Sequence, residues 1–161
     1  MDFSSGNSVI LFLFVRNRNW IFLVLQGIEW GRVNDMATPM QRTLSDLRKY
    51  NIPYWVVENY NHFTKKRTDL FNIFDVLALD NGFVGVQVCG VDIGPHKEKI
   101  LVDHVENTTI WLKNGGRVEV WAWRKLKKLK KNGKKGKQTI WVARIFDVLL
   151  VNNELYWEER G

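Results

Sequence analysis

The segment Arg67–Gly90, R-T-D-L-F-N-I-F-D-V-L-A-L-D-N-G-F-V-G-V-Q-V-C-G, decides how this chain is read. Two apolar runs flank Asp80-Asn81-Gly82, with Asp75 set into the first and Gln87 into the second. This pattern predicts an antiparallel hairpin, because glycine accepts positive φ and Asp and Asn favour tight corners. With a three-residue turn, Leu79 pairs with Phe83, and counting back sets Asp75 opposite Gln87. Opposed residues in an antiparallel pair share a face, so Asp75, Gln87 and Cys89 then line one side together. A two-residue turn over Asn81-Gly82 would put Asp75 and Gln87 on opposite faces instead, so the chemistry depends on turn length.

Working outward, Thr38-Pro39 opens a helix, with Thr38 as N-cap and proline in the first helical position. Met40, Leu44 and Leu47 give it one buried stripe, and Asn51 and Pro53 stop it. Tyr54–Glu58 (Y-W-V-V-E) reads as a short strand ending in an acid, and Asn59–Thr68 as a polar loop carrying Lys65, Lys66 and Arg67. Beyond the hairpin, Gly94-Pro95 opens a second helix that runs to about Lys113, with Gly115-Gly116 ending it. Arg117–Trp123 alternates as a strand, and Thr139–Val151 is a last β-rich stretch.

An acid in one hairpin strand, an acid or amide a dozen residues later and a further residue two positions on resembles the PD-(D/E)XK nuclease superfamily. The likeness is nearest to its small phage and bacterial members similar to Holliday-junction resolvases, in which an R-x-D-L-F segment precedes the key aspartate. It spans roughly Thr38 to Arg124, with Gln87 standing where an acid is usual and Cys89 where a lysine is usual. The resemblance implies an α/β restriction-endonuclease-like core, a central mixed β-sheet flanked by helices in the order αβββαβ. It also implies Mg²⁺ or Mn²⁺ as cofactor, DNA as substrate with preference for branched or structured forms, and a homodimer.

Such chemistry needs oxygen ligands that hold a hard cation while leaving positions open for water and phosphate. Asp75 is the leading candidate, since a carboxylate within I-F-D-V-L-A is costly unless paired or metal-bound. The alternative is a structural aspartate that caps the strand or pairs with Arg67. Gln87 offers a carbonyl ligand without charge, or else is a buried amide bonded to backbone. Glu58 supplies the missing negative charge if its strand lies beside Asp75. Asp69 either joins them or neutralises Lys65, Lys66 and Arg67. Lys97 and Lys99, in the first turns of the second helix, are the candidates for the absent lysine, to orient water or stabilise phosphate charge. His96 is a weaker candidate base, and Cys89 reads as a small core residue with no activating partner in sequence.

The 161 residues suffice for one domain, and a hydrophobic content of 45% argues against disorder. The net charge of +7 is concentrated, because Arg124–Lys137 holds 9 of the 24 Lys and Arg and no acid. Its lysines (Lys125, Lys127, Lys128, Lys130, Lys131, Lys134, Lys135 and Lys137) read as a β-hairpin tip that tracks nucleic-acid phosphates. Trp121 and Trp123 share a strand face and are core residues or base-stacking platforms. A single cysteine fits a reducing compartment, and the resemblance implies the cytoplasm of a bacterial or phage-infected cell. Residues 1–35 form an apolar extension, either a buried hairpin or a segment upstream of a native start at Met36. Its runs Val9–Val15 and Trp20–Leu25 are too short to span a bilayer, so no stable membrane insertion is expected. Two other functions fit the same residues: a catalytically degenerate nucleic-acid binder, and a peripheral membrane protein using residues 9–30 and the lysine arm.

Overall fold

The computed structural model describes residues 36–130 and 133–161, which fall within the unit Arg32–Gly161. The expectations for residues 1–35, and for Lys131, lie outside the described residues. Helix α1 (Pro39–Lys49) starts from Thr38 in a capping box: Thr38 Oγ1 accepts from Gln41 N at 3.2 Å, and Gln41 Oε1 accepts from Thr38 N at 2.9 Å. Asn51 ends it in the left-handed region at φ 55°. The strands β1 (Tyr54–Val56), β4 (Val76–Leu79), β5 (Phe83–Cys89), β6 (Arg117–Leu129), β7 (Lys135–Val151) and β8 (Glu154–Glu159) form one sheet, in the order β1-β4-β5-β6-β7-β8. Only β5 and β6 run parallel, joined by the second helical segment, so the chain is an α/β protein with a mixed central sheet.

The β4–β5 turn has the three-residue length. Leu79 pairs with Phe83 and Val76 with Val86, with Asn81 at φ 49° and Gly82 at φ 126° carrying the corner. Period-2 alternation then separates two cores. Val76, Val84, Val86, Trp121 and Trp123 pack with Leu47 of α1, while Phe74, Cys89, Val118, Val120 and Ala122 pack with Ile100 of the second helical segment. Trp121 and Trp123 are therefore core residues, and Trp123 Nε1 donates to Thr43 Oγ1 of α1 at 2.9 Å.

Several expectations need correction. The second helix is not continuous: α2 (Gly94–Glu98) passes into a π-helical turn (Lys99–Asp103), and α3 (Val105–Lys113) follows a break at His104. Asn59–Thr68 is not a loop but a separate two-stranded hairpin, β2 (Asn59–Asn61) with β3 (Lys66–Thr68). The strand from Arg117 does not stop at Trp123; it continues to Leu129 and, with β7, builds a long arm that carries the lysines. Strand β8 went unread, although Asn152-Asn153, at φ 53° and 66°, makes the two-residue turn that asparagines favour. Its end is anchored by Arg160, which donates to Asp147 Oδ2 at 3.0 Å and to the buried Glu119 Oε1 at 2.8 Å.

Gly85 lies under the Phe74 ring, where a Cβ would stand 2.4 Å from Phe74 Cε1. Phe74 is fully buried and has nowhere to retreat. Gly85→Ala is expected to cost about 1–3 kcal/mol by overpacking, read as a lower midpoint in thermal denaturation. An unchanged midpoint would show that this face of the core is slack.

Candidate active site

The site forms where the bases of two hairpins meet. Asp75 stands one residue before β4, and its N–H donates to Val86 O at 3.0 Å, which extends the ladder and sets Asp75 opposite Gln87. Its carbonyl accepts from Val57 N at 2.9 Å and Glu58 N at 3.1 Å, tying down the chain just beyond β1. In the other hairpin Asn59 pairs with Thr68, so Glu58 and Asp69 leave its base side by side. One carboxylate oxygen each from Glu58, Asp69 and Asp75 lies within 4.8 Å of the others.

A continuous chain of polar contacts runs through the centre. Asp75 Oδ2 accepts from Gln87 Nε2 at 2.6 Å and from Val88 N at 2.7 Å. Gln87 Oε1 in turn accepts from Lys99 Nζ at 2.9 Å, and Lys99 also forms an ion pair with Asp69. Arg67 NH1 donates to both oxygens of Glu58, at 2.9 and 3.1 Å. Glu58 and Asp69 thus each hold a cation, whereas Asp75 has only neutral donors and is 6% exposed.

The electrostatics follow from that arrangement. Burial raises the Asp75 carboxyl to about 7; the Asp69 and Glu58 charges add to the rise, and the Val88 N–H and Lys99 oppose it. Burial, with the charges of Asp75 and Asp92, lifts the Cys89 thiol to about 11. His96 is lowered by burial and by Lys99, and its Nδ1 is buried without a protein partner.

The chain finds no match among protein-family models, curated proteins or solved structures.

Of the residues singled out from sequence, Glu58, Asp75, Gln87 and Lys99 come together. Lys97 makes no ion pair with the acids among the described residues; its Nζ sits 5.8 Å from the centre of the Trp157 ring. Gln87 turns its amide nitrogen to Asp75 and its oxygen to Lys99, so it links the acid to the lysine. Arg67 pairs with Glu58 and not with Asp75. Asp69 is the fuller member that sequence reasoning left undecided. Its signal was symmetry, because Glu58 and Asp69 stand equidistant from the centre of the Asn59–Thr68 hairpin. The lysine arm is the far end of the paired strands β6 and β7, with Lys125 Nζ 5.8 Å from the Trp141 ring centre. At its turn Lys130 N donates to Lys134 O at 2.8 Å.

The donor set fits a divalent cation of the hard class. All three candidate ligands are carboxylate oxygens, and the most buried of them lacks a cation of its own. Such an ion would be held by Asp75 with Glu58 and Asp69.

Two measurements check this electrostatic picture. Because the native carboxyl titrates near 7 and the unfolded one near 3.8, the native state binds the extra proton between those values. The Asp75 contribution to stability is thus fully present below about pH 4 and lost as the pH rises through about 7. In EDTA, Asp75→Asn is expected to gain thermal stability relative to the parent between pH 5 and pH 8; a pH-independent difference would contradict the shift. Cys89 is expected to resist iodoacetamide at neutral pH until the protein is denatured, as its burial and raised pKa leave almost no accessible thiolate.

Proposed function

We propose that the chain is a metal-dependent DNA endonuclease of PD-(D/E)XK type, acting on branched or structured DNA. The observation that carries this reading is the contact chain Asp75–Gln87–Lys99–Asp69 beside Glu58, which gathers acids and one ammonium at the end of a hairpin. The lysine that the family motif would set at position 89 is supplied here from the helical segment instead. Helix, strand, strand, strand, helix and strand along α1, β1, β4, β5, α2–α3 and β6 support the restriction-endonuclease-like reading as well.

In this reading Asp75, Glu58 and Asp69 hold Mg²⁺ or Mn²⁺, and Gln87 fixes the Asp75 carboxylate while it steers Lys99. A bound divalent ion supplies Lewis-acid polarisation of the phosphate and a more acidic water. The Lys99 ammonium, 25% exposed at its side chain, orients the attacking water and meets charge developing on the phosphate. The lysine arm, Lys125 to Lys137, holds the backbone through phosphate contacts that carry no base information. A homodimer and a place in the cytoplasm of a bacterial or phage-infected cell belong to the same proposal. No helix among the described residues is long and apolar enough to cross a membrane.

One observation favours a second reading, a degenerate binder of the same fold. Lys99 is already committed to Asp69, and Arg67 to Glu58, so two of the three acids are neutralised within the protein.

The test is cleavage of single-stranded, duplex, flapped and four-way DNA with Mg²⁺, Mn²⁺ or EDTA. Metal-dependent cutting is expected, abolished by Asp75→Ala and reduced about 100-fold or more by Lys99→Met, with Lys97→Ala near the parent rate. Salt-sensitive binding without cutting in any metal would establish the degenerate binder. Cutting that survives Asp75→Ala would place the chemistry elsewhere.

A further inference from the structure

The β2–β3 hairpin has more on it than the two acids at its base require. It forms a sheet of its own, apart from the six-stranded one. At its tip Phe63 is 98% exposed, the most exposed large apolar side chain among the described residues. Its backbone, in contrast, is well defined: Asn61 Oδ1 accepts from Phe63 N at 2.9 Å and Thr64 N at 3.1 Å, and Lys65 completes the turn at φ 57°. Tyr60 and His62 meet edge to face with ring centres 4.9 Å apart, bracing one side. Between Asn59 and Thr68 there are Lys65, Lys66 and Arg67 and no acid. An aromatic held out in water by a braced turn, beside exposed cations, is costly for a solvated loop and suits a ligand with flat apolar faces and anionic links.

We propose that this hairpin stacks Phe63 on an unpaired or unstacked base, with Lys65 and Lys66 on the flanking phosphates. The inference rests on the nuclease reading and deepens it, by naming the element that selects DNA with exposed bases. Geometry supports the coupling. Phe63 lies five positions from Glu58, at most about 16 Å at the rise of an extended strand, so a base held at the tip sets the scissile phosphate a few nucleotides away. The lysine arm contacts backbone irrespective of pairing, whereas an aromatic tip rewards only bases free to leave the stack.

The experiment uses the full chain in EDTA. Binding to duplex, flapped and four-way DNA is read by anisotropy, and base stacking by 2-aminopurine quenching at the unpaired positions. Phe63→Ala is expected to weaken binding to flapped and four-way DNA by about 5- to 100-fold and to abolish the quenching, with duplex affinity nearly unchanged. Phe63→Trp should restore both. Because Phe63 touches so little of the protein, its loss should leave the melting temperature unmoved. Equal affinity of Phe63→Ala for every DNA form, alongside intact metal-dependent cleavage by the parent, would overturn the hairpin's role while sparing the nuclease. Phe63-dependent sedimentation with phosphatidylserine vesicles and Phe63-independent DNA binding would overturn it in favour of a membrane-facing tip. Failure of the parent to bind any DNA would overturn both.

Discussion

The arrangement depends on one buried carboxylate and the backbone register that delivers it. Asp75 meets Gln87 only because three residues, not two, close the β4–β5 turn. An ionised carboxylate this deep is unfavourable unless hydrogen-bonded or paired, and its two donors, Gln87 Nε2 and Val88 N, are both neutral. The protein answers with a raised pKa rather than a full counter-charge. In the proposed metal site a cation would supply that missing charge, and the neighbours of Asp75 hold it in place. The Asp75 carbonyl ties the chain beyond β1, its N–H extends the β5 ladder, and Gln87 passes its orientation on to Lys99.

Much of this was legible in the sequence, for identifiable reasons. Asp80-Asn81-Gly82 between two apolar runs is a strong turn signal, and α1 carried both a cap and a proline at its start. Lys99 was legible as a helix residue following the third strand of the αβββαβ pattern. What was hidden depended on polar or distant partners. The β2–β3 hairpin has no apolar alternation, because no core lies beneath it, so its residues read as loop. The break at His104 and the π-helical turn leave the apolar spacing nearly intact, so periodicity passes over them. The division between Lys97 and Lys99 is a matter of which way two neighbouring helical positions face, and sequence spacing alone does not settle which side meets the acids.

In the proposed nuclease the two outlying elements would divide the work of binding between them. The arm built from β6 and β7 is held by a regular ladder with an irregularity between Lys127 and Leu129. At Gly136 a Cβ would meet Lys128 O at 2.8 Å, so the strands close in there as no other residue would allow. The small β2–β3 hairpin has only three paired residues on each side, and both strands lead straight into the acids. In that proposal, charge on the arm would be indifferent to base pairing and an aromatic on the hairpin sensitive to it. They arise differently: the arm prolongs two inner strands of the six-stranded sheet, and the hairpin is a separate two-stranded sheet.

The most direct measurement is Mn²⁺ binding to the full chain, followed by isothermal titration calorimetry and by loss of the free-ion electron paramagnetic resonance signal, beside Asp75→Asn. One site built on the three carboxylates is expected, weakened strongly in Asp75→Asn and tightening as the pH rises through about 7, where the Asp75 proton must leave. Mn²⁺ binding that is absent, or equal in Asp75→Asn and insensitive to pH over that range, would contradict it.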